Sequence, residues 1–479
     1  MPSPSQAMQI PPDAEKAEPP RPEPLSLRNK FTYGGGQVAD SLGLNGVKQI
    51  GNTFYVVMLG VSPAWIGTIL AFIRIWDAIT DPLVGRISDR LVSRHGRRKP
   101  LILAGALAMG ILFPVLWMAS PEWSAEAKTI YFTCVLLIFY VGYSLYSVPF
   151  QAMGIELAQD YHQRTGIQAF RTFFGASSNI ILWWALPLAF HSVFNDDSGL
   201  TGMIWVSSGV GGIILLSGLL PLLIPTDKKE ASADLISKVK SVRAGWRTVV
   251  CNRSFRLLLG TMGCTFLGIN LVYGISGLLN VYYVFGGDVK SSMIVTGWYG
   301  TSWTIASVAA TPVIAKFSRV TGKRLGLALC ILSIASGSLL NLWVFNPEMH
   351  YLQLIPVALI SPGVAGLWIL GPSMMADVSD DDCVQYGLRR EATFTSIYGW
   401  VQKLSLSASF ALSGYITVAT GFDVKLAADQ AEGVYDTMRL CLALAPLIAL
   451  GPALYFVLRY PITEEVAREN RRILEEQAN

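Results

Sequence analysis

Long apolar runs alternate with short polar stretches along the 479-residue chain. Each run is close to the roughly 20 residues a helix needs to cross a bilayer core. Runs bounded by charge or by Gly/Pro clusters predict twelve spans, near 32–59, 63–87, 101–120, 129–154, 167–193 and 202–224, then 256–285, 291–316, 325–345, 351–376, 392–419 and 436–458. The pattern divides the chain into a tail (1–30) rich in Pro, Glu and Ser with no apolar core, a first group of six spans (31–224), a polar linker (225–254), a second group of six (255–459) and a closing tail (460–479). The expected fold is an all-α membrane protein of twelve transmembrane helices in two pseudo-symmetric six-helix bundles.

Composition agrees with the pattern. Hydrophobic residues make up 52% of the chain and charged residues 15%, against roughly 25% charged in soluble domains. The net charge of +4 is spread over a few loops, which disfavours a nucleic-acid partner. Six cysteines without a CxxC, and four scattered histidines (His95, His162, His191, His350), give neither a disulfide framework nor a metal site. No enzyme can be assembled from the motifs present.

Basic residues set the orientation, because short loops rich in Lys and Arg stay on the cytoplasmic side. The connection after span 2 holds Arg86, Arg90, Arg94, Arg97, Arg98 and Lys99, and the one after span 8 holds Lys316, Arg319, Lys323 and Arg324. Both chain ends are therefore expected in the cytoplasm. Gly96-Arg97-Arg98 recurs in the second group of spans as Gly322-Lys323-Arg324, and Pro149 recurs as Pro372 at nearly the same offset, the trace of a duplicated six-helix unit. Parallel repeats of this kind place a substrate site near the midplane, between the halves.

Ionisable residues inside spans cost about 2.5–3.5 kcal/mol each on insertion scales and so mark function. They collect in few places: Asp40 and Lys48 in span 1, Arg74, Asp77 and Asp81 in span 2, Arg171 in span 5 and Lys403 in span 11. Asp77 and Asp81 are separated by one helical turn, hence on one helix face. Two carboxylates so close repel unless a cation lies between them or one is protonated, which is the property of a coupling site for H+ or Na+. Thr80 and Ser144 are candidate oxygen ligands for it. The structural alternative pairs Arg74 with Asp77 and makes Asp81 a backbone cap. Asp40, Arg171 and Lys403 form a second candidate set, suited to a polyhydroxylated solute because carboxylates accept from hydroxyls while Arg and Lys donate to oxygens. Trp368 and Tyr398 are candidates to stack on a sugar ring. The charged loop with Gly85, Asp89, Arg90, Gly96, Arg97 and Arg98 is expected to gate the cytoplasmic side through a contact between its acid and a helix end or a neighbouring Arg.

The stretch Trp76-Asp77-x-x-Thr80-Asp81-Pro82-x-x-Gly85-x-x-Ser88-Asp89-Arg90 resembles the glycoside–pentoside–hexuronide:cation symporter family (melibiose permease-like) of the major facilitator superfamily. Tyr33-Gly34 with Asp40, Met375-Ala376-Asp377-Val378 through Arg389-Arg390-Glu391, Ser396-Ile397-Tyr398 and Lys403 are similar to other parts of that family. The resemblance implies cation ligands at Asp77, Asp81 and Ser144, and substrate positions at or near Asp40, Arg171, Trp368, Tyr398 and Lys403. In Tyr146-Ser147-Val148-Pro149-Phe150-Gln151 it puts Ser147 where the family's best-known member has an acid and Gln151 where it has an aromatic residue. It also implies a sugar symporter working by alternating access, with no resident cofactor and a coupling ion that is H+ or Na+. Its partners would be the sugar, the cation and the bilayer, and the chain would act as a monomer in a bacterial inner membrane. A carrier of amphipathic lipids, which would need an apolar cleft open to the bilayer, and a non-transporting nutrient sensor are the other classes considered.

Overall fold

The computed structural model describes residues 26–91, 93–94, 96–157, 161–194, 198–225, 252–387 and 390–478. The expected tail up to residue 25, His95, the acidic turn 195–197, the linker stretch 226–251 and Arg389 lie outside them.

Each predicted span corresponds to one long helix: α1 (Leu27–Asn52), α2 (Pro63–Arg90), α3 (Lys99–Val115), α4 (Ala125–Leu157), α5 (Tyr161–Ala189), α6 (Leu200–Leu219), α7 (Arg253–Leu271), α8 (Val289–Thr321), α9 (Lys323–Val344), α10 (Val357–Tyr386), α11 (Glu391–Ala419) and α12 (Val434–Leu458). A further helix, α13 (Glu464–Ala478), follows. No strand occurs among the described residues. By length and composition seven of the described helical segments are apolar enough to cross a bilayer. Of those that fall short, α1, α2 and α11 carry the interior charges Asp40 and Lys48, Arg74 and the aspartates, and Lys403. A polar face that lowers hydropathy is what a helix lining an internal site must have.

Two boundaries differ from expectation. Residues 27–30, assigned to the N-terminal tail, are already helical, because the Ser26 hydroxyl caps α1 by accepting from the Asn29 N–H at 3.2 Å. Much of the stretch 460–479, expected only as a tail, is the amphipathic α13, braced by the i,i+4 pairs Glu464–Arg468 and Arg472–Glu476.

The backbone repeats more closely than the sequence does. α1 ends in a π-helical turn, Thr53–Met58, and the chain after α7 passes through Tyr273–Leu278 into another, Leu279–Val284. The offset from the first turn to the second is also the offset from the left-handed Gly60 (φ 69°) to Gly286 (φ 57°), and from the positive-φ Gly96 (φ 92°) to Gly322 (φ 82°). Only glycine adopts these angles at little cost, so the duplication survives where the backbone demands it.

The first six helices and the next six form two halves that touch unevenly. Call the end carrying Leu27 and Leu458 the terminal end, and its opposite the far end. One core cluster fills the first half and runs on into the far end of the second through Ile275, Leu279, Phe345, Phe410 and Met438. A separate cluster, with Phe255, Leu327, Leu367 and Phe394, fills the rest of the second half. At the far end α2 and α11 meet backbone to backbone: a Cβ on Gly67 would lie 2.5 Å from the Phe410 carbonyl oxygen, and one on Gly414 2.4 Å from that of Pro63. Beside them the Trp184 indole donates to Thr301 at 3.0 Å and the Ser407 hydroxyl to the Ala71 carbonyl at 2.8 Å. All described hydrogen bonds and ion pairs between the halves lie from this end down to Lys403, near the middle of α11.

Candidate functional site

Asp77 and Asp81 share one face of α2, one turn apart, just before Pro82. A proline at 82 donates no N–H, so the Ala78 carbonyl beside them loses its helical donor. Asp77 is 3% exposed. From the other half, the Lys403 ammonium lies 3.1 Å from Asp77 Oδ2 and 2.7 Å from Asp81 Oδ2. Ser144 of α4 donates to Asp81 Oδ1 at 2.8 Å. The Thr80 and Ser144 hydroxyls lie 3.0 Å apart, and Thr80 also donates to the Asp77 carbonyl at 3.3 Å. Asp77 Oδ1 is buried with no hydrogen-bond partner. The structure thus brings together the four residues expected at the cation site, and adds a fifth.

That fifth residue is a correction. Lys403 was expected with Asp40 and Arg171, yet it belongs with the α2 aspartates. Two carboxylates one turn apart concentrate negative charge facing α11 and draw the ammonium across, whereas Asp40 has partners on its own side. The Arg74–Asp77 ion pair of the structural alternative is likewise not formed: the Arg74 guanidinium lies over the Tyr140 ring, 5.6 Å from its centroid.

Asp40 is held from α1 and α5. Gln37 donates from Nε2 to Asp40 Oδ2 at 2.9 Å and to Ser41 Oγ at 3.1 Å. Its Oε1 accepts from Arg171 Nε, and Arg171 NH2 lies 3.9 Å from Asp40 Oδ2. Asp40 Oδ1 is also buried and unpartnered. Gln37 was missed in the sequence, although its position one turn before Asp40 and Ser41 was a legible signal. On α4, Gln151 donates to Ser147 at 2.9 Å and Ser147 to Tyr143 at 3.3 Å, a polar ladder one turn per step. The Arg171 guanidinium sits 5.9 Å from the centroid of Phe150, between those positions. Trp368, 57% exposed, meets Phe266 edge-on with centroids 5.3 Å apart. Tyr398 is buried in the core of the second half. Among the described contacts neither touches Asp40 or Arg171, so the structure does not join these aromatics to the charged pair.

The loop expected to gate lies at the terminal end. Gly85 faces Val148 of α4, Asp89 and Arg90 are exposed at the end of α2, Gly96 turns the chain at φ 92°, and Arg97 and Arg98 lead into α3. The second half places a set of ion pairs at the equivalent level. Lys323 donates to both Asp377 oxygens, at 2.8 and 2.6 Å, and Arg390 grips Asp382 with two bonds of 2.8 Å. Asn470 and Arg471 of α13 reach Asp381 (3.1 Å) and Asp377 (3.6 Å). Among the described residues no cluster of His, Cys, Asp and Glu could hold a metal ion.

Residues 32–464 match the family described as MFS/sugar transport protein. YagG of Escherichia coli (strain K12), named as a glycoside/cation symporter, is 25% identical over 468 residues, covering 95% of this chain and 96% of its own. A sodium-dependent lysophosphatidylcholine symporter 1 of Xenopus tropicalis is 23% identical over 458 residues, covering 88% of this chain and 85% of its own. Among solved structures, a bacterial homologue of the human lysosomal transporter Spinster in an inward-facing, occupied conformation superposes with a TM-score of 0.64 at 14% identity, covering 91% of this chain and 95% of the other.

Proposed function

This chain belongs to the MFS/sugar transport protein family, and on that premise we propose that it is a sugar:cation symporter of the glycoside–pentoside–hexuronide type, coupled to H+ or Na+ at Asp77 and Asp81. It is a multi-pass membrane transporter and not an enzyme. The observation that carries the coupling proposal is the trio itself: two carboxylates share one ammonium across the interface of the halves, at 3.1 and 2.7 Å.

One Lys against two Asp leaves a net negative charge in a low-dielectric interior, where an uncompensated ion is costly. A proton on Asp77 Oδ1, or a sodium ion among Asp77, Asp81, Ser144 and Thr80 oxygens, removes that charge. A bound cation also competes with Lys403 for the aspartates. Because Lys403 belongs to the second half, loosening its hold changes how the halves are joined, and this links ion binding to their movement. The sugar binds along Asp40, Gln37, Arg171, Ser147 and Gln151, where carboxylate and amide oxygens accept from hydroxyls and the guanidinium donates. With the basic loops in the cytoplasm, the terminal end faces inward. Among the described residues, the hydrogen bonds and ion pairs between the halves then lie on the outer side and at Lys403, which agrees with an inward-facing arrangement of the alternating-access cycle.

A second reading has an observation of its own. An apolar cleft of about 650 Å³ opens between α7, α11 and α12, lined by Leu267, Leu271, Val401, Leu412 and Ile448, and one relative is named for lysophosphatidylcholine. Such a cleft suits an acyl chain. The sugar reading is favoured because Asp40, Gln37 and Arg171 form a polar set that an acyl chain does not use.

The test is uptake into vesicles of labelled glycosides, pentosides, uronides and a lysolipid, with sodium and pH gradients imposed separately. Accumulation of at least one sugar under one gradient is expected. Accumulation of the lysolipid alone would replace this reading with the second.

A further inference from the structure

The apolar cleft between α7, α11 and α12 belongs to one half alone, since every residue that lines it lies on those three helices. Alternating access works around a site between the halves, whereas a cleft inside one half moves with it and is not opened to each side in turn. Ile448 at its lip is 77% exposed, so the cleft opens sideways to the bilayer. Of its lining residues only Ser405 and Cys264 carry a polar side-chain atom. From Leu259 to Leu271 its floor runs about 18 Å at the helical rise of roughly 1.5 Å per residue. That is close to one leaflet of a hydrocarbon core roughly 30 Å thick.

Two arginines stand at the terminal end of this cleft. Arg256 precedes Gly260 of the lining by one turn of α7, and Arg459, just past the end of α12, follows Pro452 by two turns, so each continues the stripe that faces the cleft. The two helices run antiparallel in a fixed register: a Cβ on Gly260 would lie 2.7 Å from the Phe456 ring, and one on Gly268 3.1 Å from the Pro446 carbonyl oxygen. Continued by one turn, that register sets Arg256 level with Arg459. Both are exposed, and among the described residues neither meets an acid. Arg459 lies over the ring of Tyr455, 5.4 Å from its centroid, at the level where interfacial aromatics gather.

We infer that this cleft seats one anionic phospholipid from the leaflet at the terminal end, its phosphate between Arg256 and Arg459 and an acyl chain along α7. An apolar slot alone accepts any acyl chain. Two guanidiniums without acids at its mouth select a negative headgroup, because their paired N–H groups match phosphate oxygens and basic sites at the cytoplasmic ends of spans attract anionic lipid. The lipid is a resident and not cargo, because its seat lies within one half. Lys403, two residues on from Val401, faces the other way around α11, so the chain backs that helix behind the ammonium that joins the halves. The site goes beyond the transport reading and does not depend on which solute is carried.

The test uses the purified full-length protein in neutral detergent, with dioleoyl phosphatidylglycerol and dioleoyl phosphatidylcholine as a pair that share their chains and differ in charge. Native mass spectrometry reads lipid bound per chain, and thermal unfolding reads protection. One phosphatidylglycerol per chain is expected, at a concentration about tenfold or more below that needed for phosphatidylcholine, since each arginine contributes about fivefold. Arg256→Gln with Arg459→Gln is expected to abolish that preference, and Arg256→Lys with Arg459→Lys, which keeps the charge, to retain most of it. Ala445→Phe, which fills the cleft, is expected to abolish binding of both lipids while the protein still unfolds cooperatively. Equal binding of the two lipids to the native chain, no binding of either, or an undiminished preference in the double Gln variant would overturn the site. So would native-strength binding in Ala445→Phe, which would put the chain elsewhere. Labelled phosphatidylglycerol is expected to stay in its leaflet when sodium and pH gradients are imposed on vesicles; gradient-driven transfer would make it cargo and overturn its residence.

Discussion

Lys403 carries one positive charge against the two negative charges of Asp77 and Asp81, and its side chain remains 31% exposed while that of Asp77 is 5% exposed. Removing the ammonium leaves like charges one turn apart. Lys403→Gln is expected to lower gradient-driven uptake more than tenfold, and to destabilise the protein by less than the roughly 3–5 kcal/mol of a fully buried broken pair, because the site stays partly accessible; transport assays and thermal unfolding check the two parts. Ser144 gives the aspartates their neutral hydrogen bond, at 2.8 Å. Ser144→Ala is expected to weaken coupling by about tenfold or more, since it removes about 1.5–3 kcal/mol of hydrogen bonding to a charged group, seen as a higher cation concentration for half-maximal uptake. At this scale the α2 pair was legible in sequence, because a spacing of one turn fixes a helix face. The partner of that pair was not. Lys403 is 322 residues from Asp81, and no local period tells which of two carboxylate groups an ammonium on a distant helix will face.

Helices α2 and α11 approach so closely at the far end that no side chain fits at Gly67 or Gly414. Gly67→Val would press on the Phe410 carbonyl, a backbone atom that cannot swing aside. Overpacking of this kind costs about 1–3 kcal/mol, enough to shift the balance between the two conformations about tenfold, since about 1.4 kcal/mol is a factor of ten. The expected outcome is faster thiol labelling of a Ser413→Cys reporter from the outside in the Gly67→Val background; an unchanged rate would mean the contact does not hold the far end shut. Helix identity was readable here, since each apolar run holds one long helix, although the runs at 32–59 and 256–285 go on past it into further helical turns. The π turns at Thr53–Met58 and Leu279–Val284 were not, because their sequences, rich in Tyr and Val, carry no mark that distinguishes them from ordinary helix. Nor was α13, whose hydrophobic positions are too few to stand out from a polar tail until Asn470 and Arg471 are seen against Asp381 and Asp377.

Taken as a whole, the molecule is two repeats joined at the far end by Gly67, Gly414, Trp184 and Thr301, and lower down by Lys403. The duplication could be read from the paired basic loops, and the positive-φ glycines that recur at one constant offset, Gly60 with Gly286 and Gly96 with Gly322, sharpen it. Which way the halves lean could not, because contacts between them are set by three-dimensional packing that leaves no periodicity in either half. If they rock about a central site, tying α5 to α8 must arrest transport. Cysteines introduced at Trp184 and Thr301 and joined by a short thiol cross-linker are expected to reduce uptake to background, with recovery after cleavage of the linker; sustained transport in the cross-linked protein would exclude this movement. The most direct test of the account replaces Asp77 by Asn and compares two assays on the same vesicles, sugar accumulation driven by a cation gradient and sugar exchange with no gradient. A coupling role for Asp77 predicts that accumulation falls to background while exchange persists. Accumulation equal to that of the native protein would contradict it.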